Sequence, residues 1–92
     1  MTSAAATVYL PSSLRALFPG APRHLAVSAS TVAELIDGLD SRWPGMRERI
    51  CHAGAIRDFV HVYVNGERAT LETAVPDRAT IHVIPAMAGG RN

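Results

Sequence analysis

The part of this chain best suited to chemistry is its end, Ile84-Pro85-Ala86-Met87-Ala88-Gly89-Gly90-Arg91-Asn92. Past Pro85 the residues are small or flexible except Met87, so the reading is a mobile tail leaving a folded body. Paired glycines are the thinnest and least restricted backbone available. Ala88, Gly89 and Gly90 can therefore thread a narrow channel and present a carboxylate inside another protein, where a side chain at either glycine would jam. Taken alone, the glycine pair also fits a plain disordered end or a cloning scar.

The other reactive residue types are less promising. Cys51 and His52 are adjacent, and neighbours on a helix point about 100° apart, which prevents a nucleophile–base hydrogen bond. A lone cysteine reads as a small, half-buried filler. His61 and His82 could meet across neighbouring strands, but two histidines without a third ligand fall short of a metal site. Glu34, Asp37 and Asp40 lie off a helical apolar stripe and read as a solvated face. No Ser/His/Asp arrangement or phosphate-binding glycine loop is present. The sequence therefore offers no catalytic residue, no metal site and no bound cofactor, and does not read as an enzyme in its own right.

The elements that must position the tail follow from local pattern. Thr7 to Leu10 is a short apolar run stopped by Pro11, and His24 to Ser28 alternates weakly. The turn cluster Pro19-Gly20-Ala21-Pro22 lies between them and suggests an N-terminal hairpin. Val32, Leu35, Ile36, Leu39 and Trp43 form one stripe at helical period, and Thr31 with Glu34 has the spacing of a capping box. Pro44-Gly45 ends that helix, and a shorter helical piece is expected over Met46 to His52. Asp58 to Val64 is β-branched and aromatic, and Asn65-Gly66 after it predicts a type I′ turn with a short return strand over Glu67 to Thr70. Leu71 to Val75 is expected to form a turn of helix. Thr80 to Ile84 is the last strand, closed by Pro85. The order β-β-α-β-β-β predicts an α+β roll, a mixed sheet on one principal helix, with residues 1–85 as the domain and 86–92 as the flexible tail.

Ninety-two residues hold one core. The nine basic residues are all arginine, and eight acidic residues leave a net charge of +1, too little to favour nucleic acid as a partner. No run approaches the roughly 20 apolar residues that span a bilayer, and the N-terminus lacks the basic region of a secretory signal. A single cysteine cannot make an internal disulfide, which fits a reducing, cytoplasmic setting.

The hairpin, the capped helix, Phe59-Val60-His61-Val62-Tyr63-Val64-Asn65-Gly66, and Ile81-His82-Val83-Ile84-Pro85 leading to Gly89-Gly90 together resemble the ubiquitin-like β-grasp sulfur carriers of the ThiS/MoaD family. The ending is most similar to the cysteine-synthesis carriers. The resemblance implies that an E1-like enzyme uses ATP to adenylate the carboxylate of Gly90. A persulfide or sulfide then converts it to a thiocarboxylate that donates sulfur to a biosynthetic enzyme. Arg91-Asn92 departs from the family pattern, because the Gly90 carbonyl is then an amide and inert toward ATP. Some family members carry a short extension removed by a JAMM-type metalloprotease, which would cut here between Gly90 and Arg91; a cloning scar is the competing explanation. Cysteine synthesis, thiamin thiazole formation, a specialised-metabolite route and the small subunit of molybdopterin synthase share this tail chemistry. A noncatalytic β-grasp interaction module is the alternative from another class.

Alternation also predicts a partner face. With Val60, Val62 and Val64 turned to the helix, Phe59, His61 and Tyr63 turn away. Likewise Ile81, Val83, Val8 and Leu10 point inward, and His82, Ile84 and Tyr9 outward. One helix covers one side of a sheet, so Tyr9, Phe59, His61, Tyr63, His82 and Ile84 form an exposed apolar–aromatic patch unless the N-terminal segment or a partner covers it. Such patches mark interaction sites, here for the activating and sulfur-accepting enzymes.

Overall fold

The computed structural model describes residues 4–85. The expected tail, with Ala88, Gly89, Gly90 and Arg91, lies outside them. In chain order the elements are β1 (Ala6–Tyr9), α1 (Ser12–Leu17), β2 (His24–Val27), α2 (Val32–Arg42), α3 (Met46–Ile50), β3 (Cys51–His52), β4 (Ala55–Ile56), β5 (Val60–Val64), β6 (Glu67–Arg68) and β7 (Thr80–Pro85). The described residues form a five-stranded mixed sheet ordered β2-β1-β7-β5-β6, with β3 and β4 paired apart from it. Strand β7 lies parallel to β1, Val8 opposite Ile81, and antiparallel to β5, Val62 opposite Val83. This is the expected α+β roll.

One face of the sheet and the helices share the core. Val8, Val62 and Ile81 meet Val32, Leu35, Ile36 and Leu39 of α2 and Met46 and Ile50 of α3, all buried. Val64 and Val83 are buried with them, so the inward alternation of β5 and β7 is as expected. Among the described residues no polar or charged side chain is buried.

Four local expectations are corrected. The β1–β2 connection holds a helix, α1, and is not a simple hairpin turn. Its N-terminal donors on Leu14 and Arg15 bond to the Pro11 carbonyl, and Leu14 alone buries its side chain. The helix expected to reach His52 stops at Ile50, because Cys51 and His52 pair with Ile56 and Ala55 in a small hairpin turned by Ala53 and Gly54, both at positive φ. Strand β5 begins at Val60, not Asp58; Arg57 to Val60 is a turn closed by Val60 N–H donating to the Arg57 carbonyl at 3.0 Å.

Leu71 to Val75 is not helical, and the reason lies in α2. The Val32 and Ala33 N–H groups donate to the carbonyls of Thr73 (3.0 Å) and Leu71 (2.9 Å). The carbonyls a helical turn would use internally instead satisfy donors that every helix start leaves orphaned. Glu34 N–H donates to Thr31 Oγ1 at 3.2 Å, as the capping box requires, but the Glu34 carboxylate takes the N–H of Ser30 (2.9 Å), not of Thr31. Asn65 and Gly66, at φ 51° and 87°, make the expected type I′ hairpin between β5 and β6.

Removing the Thr31 hydroxyl in Thr31→Ala is expected to cost about 1 kcal/mol. The readout is a lower urea midpoint at unchanged slope, with Thr31→Ser restoring most of the loss. An unchanged midpoint would mean that the Leu71 and Thr73 carbonyls cap α2 unaided.

Candidate functional site

The outer face of the sheet carries five of the six residues expected there, Tyr9, His61 and Tyr63 half-buried and His82 and Ile84 exposed, and the register gives them more order than alternation alone could. Tyr9 lies opposite His24 on β2 and His82 on β7; His82 lies opposite Tyr63 on β5; Tyr63 lies opposite Arg68 on β6. His24, Tyr9, His82, Tyr63 and Arg68 thus form one continuous row across all five strands. Tyr9 and His82 stack with centroids 4.8 Å apart and planes at 11°, and His24 tilts against Tyr9 at 5.4 Å. His61 meets Tyr63 edge-on at 6.3 Å and is paired with Ile84, which is 43 % exposed. Cross-strand aromatic pairs of this kind hold each other's rotamers, so the patch is a preset surface. The row contains no carboxylate.

His24 and Arg68 complete this row and escaped the reading of the sequence. Each belongs to it only through the pairing register, and neither flanking strand is long or strongly patterned. Phe59 stands apart from the other five expected residues. It sits in the turn before β5, is 53 % exposed, and lines a hollow with Leu14 and Leu17 of α1 and with Pro85. The Arg57 guanidinium lies 5.9 Å from its ring centroid. Leu17, also missed, is 50 % exposed.

The remaining candidates have structural work. Asp40 accepts from the N–H groups of Gly45 and Arg47, both at 3.0 Å, and so caps α3. Gly45 is suited there by its φ of 100°, which other residues rarely adopt. Asp37 pairs with Arg47 at 2.6 Å on the surface, and the Glu34 carboxylate accepts from Ser30 N–H just before α2. Cys51 and His52 lie on a strand, not a helix, so they point to opposite faces; the thiol is buried and the imidazole exposed. Burial pushes the Cys51 thiol up, Arg47 opposes the rise, Asp37 adds to it and Arg57 opposes it. A proton held more tightly when folded supports stability below the ordinary thiol value, and that support is lost as pH climbs through the raised one. His61 and His82 occupy diagonal positions on neighbouring strands, and no group of three metal-ligating side chains exists among the described residues.

Comparison with known proteins places this arrangement. The ThiS family matches residues 16–90. The chain belongs to the ThiS family. Sulfur carrier protein CysO of Mycobacterium tuberculosis H37Rv is 32% identical over 91 residues, covering 91% of this chain and 97% of that protein. The crystal structure of the Amycolatopsis orientalis BexX/CysO complex contains a chain that superposes with a TM-score of 0.84 at 35% identity, over 92% of this chain and 99% of that one. The small archaeal modifier protein SAMP1 of Haloferax volcanii shares the fold, with a TM-score of 0.77 at 24% identity over 94% of this chain and 99% of that one. In this ThiS-family chain the match ends on Gly90, the second glycine of the pair, and leaves Arg91 and Asn92 outside it.

Two outcomes follow. Tyr63→Asp places a charge at the centre of the aromatic row and is expected to weaken binding of an activating or accepting partner at least tenfold, about 1.4 kcal/mol, in calorimetric titration with an unchanged thermal midpoint. Undiminished affinity would remove the row from the interface. Cys51 in the folded chain is expected to react with Ellman's reagent near neutral pH more slowly than in the urea-unfolded chain.

Proposed function

We propose that this chain is a sulfur carrier whose reacting group is the carboxyl of Gly90. The observation that carries the reading is that the ThiS-family match runs from the helix-bearing first connection through the glycine pair and stops there. The name of the CysO relatives, covered over nearly their whole length, points the same way.

The chemistry is dictated by the carboxyl group. A carboxylate oxygen attacks the α-phosphorus of ATP in an E1-like adenylating enzyme, pyrophosphate leaves, and the acyl-adenylate gives the carbonyl carbon a good leaving group. Sulfide, or a persulfide whose outer sulfur is later freed by a thiol, attacks that carbon and AMP departs. The product thiocarboxylate delivers sulfur to a biosynthetic enzyme making cysteine, a cofactor or a specialised metabolite. ATP belongs to the activating partner; this chain supplies only the tail and the surface that docks it. The chain works in the cytoplasm.

The Gly90–Arg91 amide blocks the first step, since an amide oxygen does not displace pyrophosphate. A metalloprotease of the JAMM type removes Arg91 and Asn92, exposing the Gly90 carboxylate. Ala88, Gly89 and Gly90 then enter the adenylating channel, with Tyr9, His61, Tyr63, His82 and Ile84, and Phe59 beside them, as the docking face. A complex of CysO with BexX in Amycolatopsis orientalis supports docking of such a chain on a partner.

The test compares three forms incubated with ATP, sulfide and the E1-like enzyme of the source organism, read by intact mass. The form ending at Gly90 is expected to gain one oxygen-for-sulfur exchange at its terminus. The full-length chain and the trimmed Gly90→Arg form are expected to gain none. Thiocarboxylation of the full-length chain without loss of two residues, or of the Gly90→Arg form, would overturn the reading.

A further inference from the structure

The exposed large apolar side chains among the described residues are Leu17, Phe59 and Ile84, and all three stand around Pro85, the last residue of β7. Leu17 and Phe59 line one hollow that Pro85 also lines, and Ile84 borders a second one beyond it. The first hollow measures about 200 Å³. Small-molecule sites run roughly 300–1,000 Å³, so this one has room for a single large apolar side chain and not for a cofactor.

The charges around Pro85 are all of one sign. Arg49 lines the hollow of Leu17 and Phe59, and Arg15 and Arg23 line the one on the other side of Pro85. No aspartate or glutamate lines either. Asp58, next to Phe59 in sequence, lines a third hollow with His52 and Arg57, which Phe59 also borders and Pro85 does not. The ion pair formed among the described residues is Arg47–Asp37, so Arg15, Arg23 and Arg49 have no carboxylate partner there. Arg15 is steered by its Nε–H, which donates to the Leu10 carbonyl at 3.4 Å. A chain with net charge +1 thus concentrates three guanidinium groups around the point where its tail begins.

The length of chain beyond that point says what must meet it. Gly90 is the fifth residue past Pro85, and five steps of no more than about 3.6 Å each reach roughly 18 Å. Any enzyme that holds the Gly90 carboxyl in its active site therefore opens its channel within that distance of Pro85, in the neighbourhood of these side chains.

We propose that Arg15, Arg23, Arg49, Leu17 and Phe59 form a collar for the mouth of the adenylating enzyme's tail channel. The mouth it fits has an acidic rim, whose carboxylates pair with the guanidinium forks, and one apolar side chain that fills the Leu17–Phe59 hollow. The collar adjoins the aromatic row, since Tyr9 and His82 also line the hollow of Arg15 and Arg23, and it rests on the reading of Gly90 as the group presented to that enzyme.

Direct binding keeps the two readings apart. The full chain and its variants are titrated calorimetrically against the E1-like adenylating enzyme of the source organism, at low and moderate salt. Arg23→Glu with Arg49→Glu is expected to weaken binding at least thirtyfold at low salt, and Leu17→Asp at least tenfold. Arg42→Glu, on the exposed end of α2 away from both hollows, is expected to change affinity less than threefold. Unfolding midpoints for all variants within a few degrees of the parent show that the fold is kept. Equal losses for Arg42→Glu and the collar pair, an unchanged affinity for the collar variants, or no binding by the parent would each overturn the collar. Binding that obeys the collar pattern without adenylation of the form ending at Gly90 supports the collar and overturns only the reading of the tail.

Discussion

The rest of the molecule depends on the parallel pairing of β1 with β7. Thr7 lies opposite Thr80 and Tyr9 opposite His82, so nearly the whole chain is the connection between two neighbouring strands. Closing such a loop costs entropy that grows only slowly with length, but it is recovered only when inner-face residues from both ends, Val8 and Ile81, pack on α2. With β5 on its other side, β7 is hydrogen-bonded along both edges at the centre of the sheet. Whatever follows Pro85 therefore departs from the most constrained strand in the fold. Its pairing with β1 runs to His82, and its last residue, Pro85, is held by Val60 of β5.

The same pairing explains why the outer face is ordered. A row of five side chains across five strands exists only if every register is correct at once, since a slip of one residue turns a strand's side chains over. The inner face enforces that register: Val62, Val64, Ile81 and Val83 are buried, and misplacing any of these strands would expose them. Core packing on one side thus sets the stacking of Tyr9 on His82 on the other. Helix α2 is held in turn by the 71–73 carbonyls that take its first N–H groups, which ties the segment leading into β7 to the helix that β7 packs against.

Much of this was legible from residue order, for identifiable reasons. The stripe from Val32 to Leu39, the Thr31 cap and the Asn65-Gly66 turn are local signals with strong physical causes, and each stands where expected. The inward and outward alternation of β5 and β7 followed from a period of two. What escaped was set by long-range partners. Helix α1 has six residues and buries only Leu14, so its periodicity is too brief to register beside Pro19 and Gly20. Cys51 and His52 continue a helical pattern in sequence, yet pair with Ile56 and Ala55. Leu71 to Val75 has helix-forming residues whose carbonyls are claimed by another element. His24 and Arg68 join the row through register alone, and Leu17 matters only because the fold sets α1 beside Pro85.

Composition gave the least guidance where it looked most neutral. A net charge of +1 describes the sum and hides the placement: Glu34, Asp37 and Asp40 are engaged by backbone N–H groups and a surface pair along the helices, while Arg15, Arg23 and Arg49 gather around Pro85. The absence of lysine has a related consequence under the proposed activation at Gly90. An acyl-adenylate is attacked by any free amine within reach, and a lysine near Pro85 would be held at high effective concentration by the short tail. Guanidinium stays protonated at every accessible pH and is no competitor. Positive charge at the proposed collar can therefore be supplied by arginine without setting an amine nucleophile beside an activated Gly90, and the planar fork adds paired hydrogen bonds to a partner carboxylate that an ammonium group cannot match.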